Sequence, residues 1–290
     1  MTSEKSGHEW RALGASVRGA SHYRTGLPNQ DAIQRQPEFG TGCPAMLAVA
    51  DGHGSAGSFR SHTGAEMATT IAIEMMQELI EKHREDPSSA QQKAERALPR
   101  EIVRRWWEAV ADDLSDKPFS SYEMMRLERD ESAKLRRNIA LNPVTAYGAT
   151  ILGALVTDAF LLFAQLGDGD ILTVSDDGRV DRPLPEDERL IGNVTTSLCL
   201  PEAVSDFRVA FTELTDSPPA LVLVSSDGYA NSFRDDDAFR QVGSDILDML
   251  REKNLTSINY DMERWLREAS ESGSGDDTTL GILCRVDAVE

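Results

Sequence analysis

Three strand-like runs follow one another in the middle of the chain with almost nothing between them, at residues 147–156, 159–166 and 170–175. A parallel crossover needs a dozen or more residues, so such short links point to antiparallel neighbours. Further strands are expected at 10–17, 45–50, 207–212, 220–226 and 278–286, where apolar runs are bounded by turn residues. The run 45–50 (AMLAVA) is almost continuously apolar and reads as a buried strand. Elsewhere the period changes. Ala65, Ala68, Ala72, Ile73, Met76, Leu79 and Ile80 recur at helical spacing over 64–82. A second helix is expected over 99–114, with Pro99 in its first turn and Ile102, Trp106 and Val110 on one stripe. Helices are also expected over 120–139, 236–252 and 260–270. The polar stretch 85–95 reads as a link between two helices, and the Gly/Pro/Asn-containing stretch 19–31 as a loop. Helices clustered apart from the strands argue for α+β layers and against a doubly wound α/β sheet. The chain reads as one domain over 9–288, preceded by a flexible segment 1–8.

Composition narrows the function. The chain has 290 residues and a formal charge of −19, and residues 176–290 carry 25 acids against 11 bases. Such a surface repels phosphate backbones, which excludes sequence-independent nucleic-acid binding. No run approaches the 18 apolar residues of a membrane span, and the first residues lack the apolar centre of a signal peptide. Cys43, Cys199 and Cys284 are far apart, which argues against a disulfide framework and fits a reducing cytosol.

Four Asp-Gly pairs occur, at Asp51-Gly52, Asp168-Gly169, Asp177-Gly178 and Asp227-Gly228. The default for Asp-Gly is a turn, and for Asp177-Gly178, between two polar stretches, that reading suffices. Asp51 and Asp227 differ because each follows a strongly apolar strand. A carboxylate at the mouth of a buried strand is partly desolvated and needs a cation, and neither has an adjacent Lys or Arg. Asp276 and Asp277 precede another apolar strand. Singly, each acid fits a turn or cap. Together they suggest an all-oxygen site suited to Mg²⁺ or Mn²⁺ rather than zinc.

The order of these motifs resembles a known family. Asn29-Gln30-Asp31, Ala50-Asp51-Gly52-His53-Gly54, Gly148-Ala149-Thr150, Leu166-Gly167-Asp168, Ser226-Asp227-Gly228 and Asp276-Asp277-Thr278-Thr279 resemble the PPM/PP2C metal-dependent Ser/Thr phosphatases. The stretch SVRGASHYRTGLPNQDA is similar to the bacterial branch. The resemblance implies a four-layer αββα sandwich with two central antiparallel sheets and a dinuclear Mn²⁺ or Mg²⁺ site at one end. It implies that Asp51 bridges the two ions and the carbonyl of Gly52 binds one. It further implies Asp227 and Asp276 on the first ion, Asp31 on the second, and Asp168 on a third, weaker one. Asp277 stands where many members have Asn and is a candidate for support behind the ligands.

His53 matches the family's general-acid histidine; a turn histidine is the alternative. Gln30 stands where many relatives have Glu, which removes a negative charge near the second ion. The usual phosphate-binding arginine position is Gly26 here, leaving Arg18 or Arg24 to hold phosphate, with a solvated loop role equally open to either. His22 is a further candidate to face the site. The irregular stretch 181–206 falls where the family carries a flap, although a plain surface excursion also fits. The implied function is hydrolysis of phosphoserine and phosphothreonine in phosphoproteins, opposite a cognate Ser/Thr kinase, in a bacterial cytoplasm. A PP2C-like binding module without turnover, or a phosphatase of small phosphate esters, are the alternatives. Retention of Asp31, Asp51, Asp227 and Asp276 argues against the first.

Overall fold

A computed structural model describes residues 7–83, 86–130, 133–190, 195–215, 217–253 and 255–290. The expected flexible start falls mostly outside the described residues. One five-stranded antiparallel sheet runs in the order β1 (Trp10–Val17), β10 (Thr278–Arg285), β9 (Leu221–Ser225), β6 (Asp170–Val174) and β7 (Val180–Asp181). The other runs β2 (Ala32–Gln36), β3 (Ala45–Ala50), β4 (Ile151–Val156), β5 (Phe160–Leu166) and β8 (Arg208–Glu213). Helix α2 (Ser61–His83) lies across β2, β3 and β4 and carries α3 (Pro87–Arg96) and α4 (Leu98–Asp116). Helices α9 (Asp236–Glu252) and α10 (Leu255–Ser272) cover the first sheet. Short helices α1 (Ala20–Thr25), α5 (Ser121–Asp130), α6 (Ala133–Leu141), α7 (Ala203–Asp206) and α8 (Asp227–Ala230) fill the connections. The layers are helix, sheet, sheet and helix, as expected.

The strands read as unbroken apolar runs because both faces of each central strand are covered. In β3, Ala45, Leu47 and Val49 point into the layer between the sheets, while Met46, Ala48 and Ala50 join the core under α2. In β9, Val222 and Val224 enter the inter-sheet layer, and Leu221 and Leu223 pack under α9 and α10. The period-2 alternation of a strand is intact, but neither side faces water.

Three local expectations change. The first two middle strands pair as expected, but β6 leaves that sheet and joins β9 in the other. The three residues between β5 and β6 are a crossing between sheets, made at Gly167 with φ of +117°. The stretch 85–95 is largely helical: Asp86 accepts a hydrogen bond from Ser89 N–H (3.0 Å), Pro87 opens α3, and Ala90 and Ala94 are buried. Its buried face is alanine alone, too weak an apolar signal against the polar residues around it. The stretch 19–31 contains the one-and-a-half-turn α1, closed by Gly26 with φ of +76°. The expected helical character of 120–139 is found at Ser121–Asp130 and Ala133–Leu141.

Register gathers the motif acids at one end. Ala32 faces Ala50, Ile151 faces Leu166, Val17 faces Thr278, and Asp170 faces Ser225. Asp31, Asp51, Asp168, Asp227, Asp276 and Asp277 lie just beyond these strand ends, so distant segments of sequence deliver six carboxylates to one rim of the sandwich.

Candidate metal centre

At that rim, Asp51, Asp168 and Asp227 each offer an oxygen within 4.8 Å of the others. The chain before Asp51 and Asp227 is fixed by strand pairing, and Asp51 N–H donates to Thr150 Oγ1 (2.9 Å). Asp31 lies beside them. Its Oδ2 accepts from Ser226 Oγ (2.6 Å) and Thr279 Oγ1 (2.7 Å), while its Oδ1 is buried without a partner. An unpaired buried carboxylate oxygen is costly unless something binds it.

The electrostatics tell the same story. Burial pushes the Asp31 carboxyl up to about 7, with the charges of Asp277 and Asp227 adding to it. Burial likewise raises Asp227 to about 6, helped by Asp168 and Asp276. Asp51 is driven well above the carboxylate range by desolvation, then by Asp31 and Asp227; Asp51 and Asp227 sit close enough to share a proton. The strongest charges on these acids are one another. Such a set of hard oxygens, with no cationic partner among the described residues, fits a divalent ion such as Mg²⁺ or Mn²⁺.

Behind the cluster stands a second group. Asp277 accepts hydrogen bonds from Gly19 N–H on Oδ1 and from Gln30 N–H on Oδ2, both at 2.6 Å. His22 is buried between two acids, Nδ1 2.9 Å from Asp277 Oδ2 and Nε2 3.6 Å from Asp276 Oδ1, although the first contact is not aligned as a hydrogen bond. His22 thus faces the rim, and Asp277 braces the segments that carry Gly19 and Gln30.

The glycines that follow the rim acids are not positive-φ turns; of the four Asp-Gly pairs only Gly178 has positive φ. They are places of close approach. A Cβ on Gly52, Gly169 or Gly228 would stand 2.7 Å from Gln30 O, 2.5 Å from Ser225 O or 2.0 Å from Asp277 O. His53 follows Gly52 and its N–H donates to Gly148 O (3.0 Å). Its ring lies against Gly148, where a Cβ would come within 2.6 Å of the ring. Burial lowers its proton affinity and the charge of Asp168 raises it again.

Three features depart from the simplest reading of the motifs. Gln30 does not aim its amide at the carboxylates: its Nε2 donates to His53 O (3.1 Å) and to Ser61 Oγ (2.5 Å). Arg18 donates from Nη2 to His22 O (2.8 Å) and stacks on Tyr23, its guanidinium 4.6 Å from the ring centre. Arg24 is exposed on α1. The stretch 181–206, apart from 191–194, which lie outside the described residues, is anchored to the rim. Thr195 Oγ1 donates to Asp168 Oδ1 (2.8 Å), Gly167 N–H to Thr196 Oγ1 (2.8 Å), and Leu198 N–H to Ala149 O (2.9 Å). Thr195, Ser226, Thr279 and Thr150 are partners of site acids that no role was assigned to in advance. Thr150, Ser226 and Thr279 stood inside the motifs; Thr195, in an irregular stretch, carried no signal.

A family model described as Protein phosphatase 2C matches residues 18–269. The chain belongs to the protein phosphatase 2C family. It is accordingly a metal-dependent protein phosphatase, and its substrates are phosphoproteins. Solved structures share the fold. Serine/threonine phosphatase PstP/Ppp of Mycobacterium tuberculosis superposes with a TM-score of 0.55 at 16% identity, covering 95% of this chain and 98% of that one. The catalytic domain of PstP in complex with two manganese ions gives 0.54 at 16%, with the same coverage. Stp1 of Staphylococcus aureus gives 0.55 at 15%, covering 95% and 94%. No curated protein matches the chain at a significant level. Among the described residues of this phosphatase, no helix is long and apolar enough to cross a membrane.

Proposed function

We propose that this phosphatase 2C hydrolyses phosphoserine and phosphothreonine with two Mn²⁺ or Mg²⁺ ions held at the carboxylate rim. The observation that carries the reading is the grouping of Asp51, Asp168 and Asp227 within 4.8 Å beside the unpartnered Oδ1 of Asp31. Asp51 would serve both ions, with the Gly52 carbonyl available to one of them. Asp227 and Asp276 would complete the first ion's ligands, Asp31 would serve the second, and Asp168 would hold a third, weaker one. The bound ions would supply positive charge against the phosphate dianion and an activated water. The protein's own part is to hold these oxygens fixed before substrate arrives and to deliver a proton. His53, desolvated against Gly148, donates that proton to the departing serine or threonine oxygen. Arg18 is favoured over Arg24 as the phosphate holder, because it is half-buried and follows β1 directly at the rim, whereas Arg24 is exposed.

The catalytic unit is proposed to be one domain over 9–288, acting opposite a Ser/Thr kinase. No disulfide joins Cys43, Cys199 or Cys284, which suits a reducing cytoplasm. The test is phosphate release from an aryl phosphate and from phosphopeptides, with and without Mn²⁺ or Mg²⁺. Metal-dependent turnover of both is expected, and its absence from both would refute the enzyme reading.

A further inference from the structure

Beside the rim is a recess of about 270 Å³ lined by Thr25, Leu27, Pro28, Gln30, Gly54, Ser55, Ala56, Phe59, Tyr122 and Glu123. It is continuous with the site: Gly54 follows His53 directly, and Gln30 precedes Asp31. One wall is the chain leaving α1 at Gly26, the floor is the turn after β3, and the far wall is the start of α5.

Glu123 contributes the recess's one acidic group, and its carboxylate is already engaged. Arg60 donates to it twice, from Nε to Oε1 (2.7 Å) and from Nη2 to Oε2 (3.1 Å). Ser120 N–H and Oγ donate to Oε2, both at 2.7 Å, while Glu123 N–H donates back to Ser120 Oγ (3.2 Å). This reciprocal pair is a capping box that fixes the start of α5, and the arginine neutralises what charge remains. The lining left to a ligand is Leu27, Pro28, Ala56, Phe59 and Tyr122, with the hydroxyls of Thr25 and Ser55 and the amide of Gln30 as its uncharged polar groups. On a protein of charge −19 this is a neutral, apolar recess at the edge of the site. Tyr122 stands at its rim, 66% exposed, as an aromatic anchor without a partner ring among the described contacts. By contrast, the recess that touches Asp168 sets Asp170, Arg182, Glu186, Asp187, Arg208 and Asp236 around Ile171, Leu184 and Leu190, so charged groups dominate its lining.

We propose that the Leu27–Phe59–Tyr122 recess is a specificity subsite that takes one bulky apolar side chain of the phosphoprotein substrate, flanking the phosphorylated residue. This rests on the reading of the rim as the phosphatase site. Burying such a side chain is worth about 1.5–3 kcal/mol, which is about a tenfold to hundredfold gain in kcat/KM. The experiment compares phosphothreonine peptides that differ only in Leu, Ala or Asp, placed one to three residues before or after the phosphothreonine. An aryl phosphate, too small to reach the recess, serves as the control. Leu peptides of one series are expected to exceed the matched Ala peptides by about tenfold and the Asp peptides by more. Tyr122→Ala, and separately Ala56→Glu, should erase that preference and leave aryl phosphate kcat/KM unchanged; both positions are exposed, so neither change disturbs the core. Equal rates across the peptides, or a Leu preference that survives both substitutions, would overturn the subsite while leaving the rim reading intact. Loss of metal-dependent aryl phosphate turnover in the wild type would overturn the rim reading and the subsite with it.

Discussion

Two groups of acids meet at one end of the sandwich, and they are built in opposite ways. Asp51, Asp168 and Asp227, with Asp31, repel one another, and one buried oxygen, Oδ1 of Asp31, has no partner among the described residues. Asp277 is more deeply buried than most of them, yet both its oxygens accept backbone N–H groups and His22 lies against it. The first group is frustrated until a cation arrives. The second is satisfied by the chain itself. A buried carboxylate is therefore not a metal ligand by virtue of burial; what distinguishes the two is whether its lone pairs are already used.

The largest test of that contrast is on turnover. Asp51→Asn and Asp227→Asn should each lower kcat/KM by a factor of about 10³ or more, the scale on which loss of a group that stabilises developing charge acts. In chelator at pH 8, the same variants should melt at higher temperature than the wild type, because one of several repelling charges is gone. A variant that keeps its rate, or that melts lower in chelator, would show that the frustrated cluster has been misidentified.

Asp277 should behave in reverse. Asp277→Ala leaves the N–H groups of Gly19 and Gln30 buried and unpaired, at about 1–3 kcal/mol each. The expected loss is about 2–5 kcal/mol of stability, read from denaturant unfolding with or without metal, and Asp277→Asn should lose less. A stability gain in chelator would place Asp277 among the cation-binding acids.

Acidity gives a third comparison. The folded chain holds the Asp31 proton up to about pH 7, whereas the unfolded chain releases it near 3.9. Between these values the folded state binds more protons, so stability without divalent ions falls as pH rises from about 4 to about 7. Bound ions require ionised ligands, so their stabilisation grows over the same range. Melting temperatures at pH 5 to 8, in chelator and in Mn²⁺, should therefore diverge as pH rises. Parallel curves would contradict the assignment.

The sequence revealed this end of the molecule unevenly. The layers were legible because AMLAVA and LVLVS alternate between two cores, so covered faces leave no polar residue to break the run. The acids were legible because each sits against such a run. The jump of β6 to the sheet of β9 was hidden, since three residues suffice equally for a tight reversal and for a crossing at Gly167. Helix α3 was hidden because its buried face is alanine. Thr195 on Asp168 was hidden because nothing in an irregular stretch marks which hydroxyl will meet which acid. Partnership across distant segments, the property that separates the two acid groups, is a consequence of register and is written in no local pattern.

Gln30 provides the finest test, because it touches both groups: its N–H satisfies Asp277 while its neighbour Asp31 belongs to the frustrated cluster. The resemblance implies Glu at this position in many relatives, and so one negative charge fewer near the proposed second ion. The side chain indicates otherwise. Its Nε2 donates to the carbonyl of His53 and to Ser61 Oγ, holding the turn that carries His53, the proposed general acid. A carboxylate cannot donate to a carbonyl, so Gln30→Glu would set an acceptor against an acceptor in a buried site and cost about 1–3 kcal/mol of stability. It should also lower kcat on substrates with poor leaving groups more than on an aryl phosphate, because the latter needs little protonation. If Gln30→Glu instead tightened Mn²⁺ binding, measured by titration calorimetry, without loss of stability, residue 30 would belong with the cation-binding acids and the boundary between the two groups would run through the wrong residue.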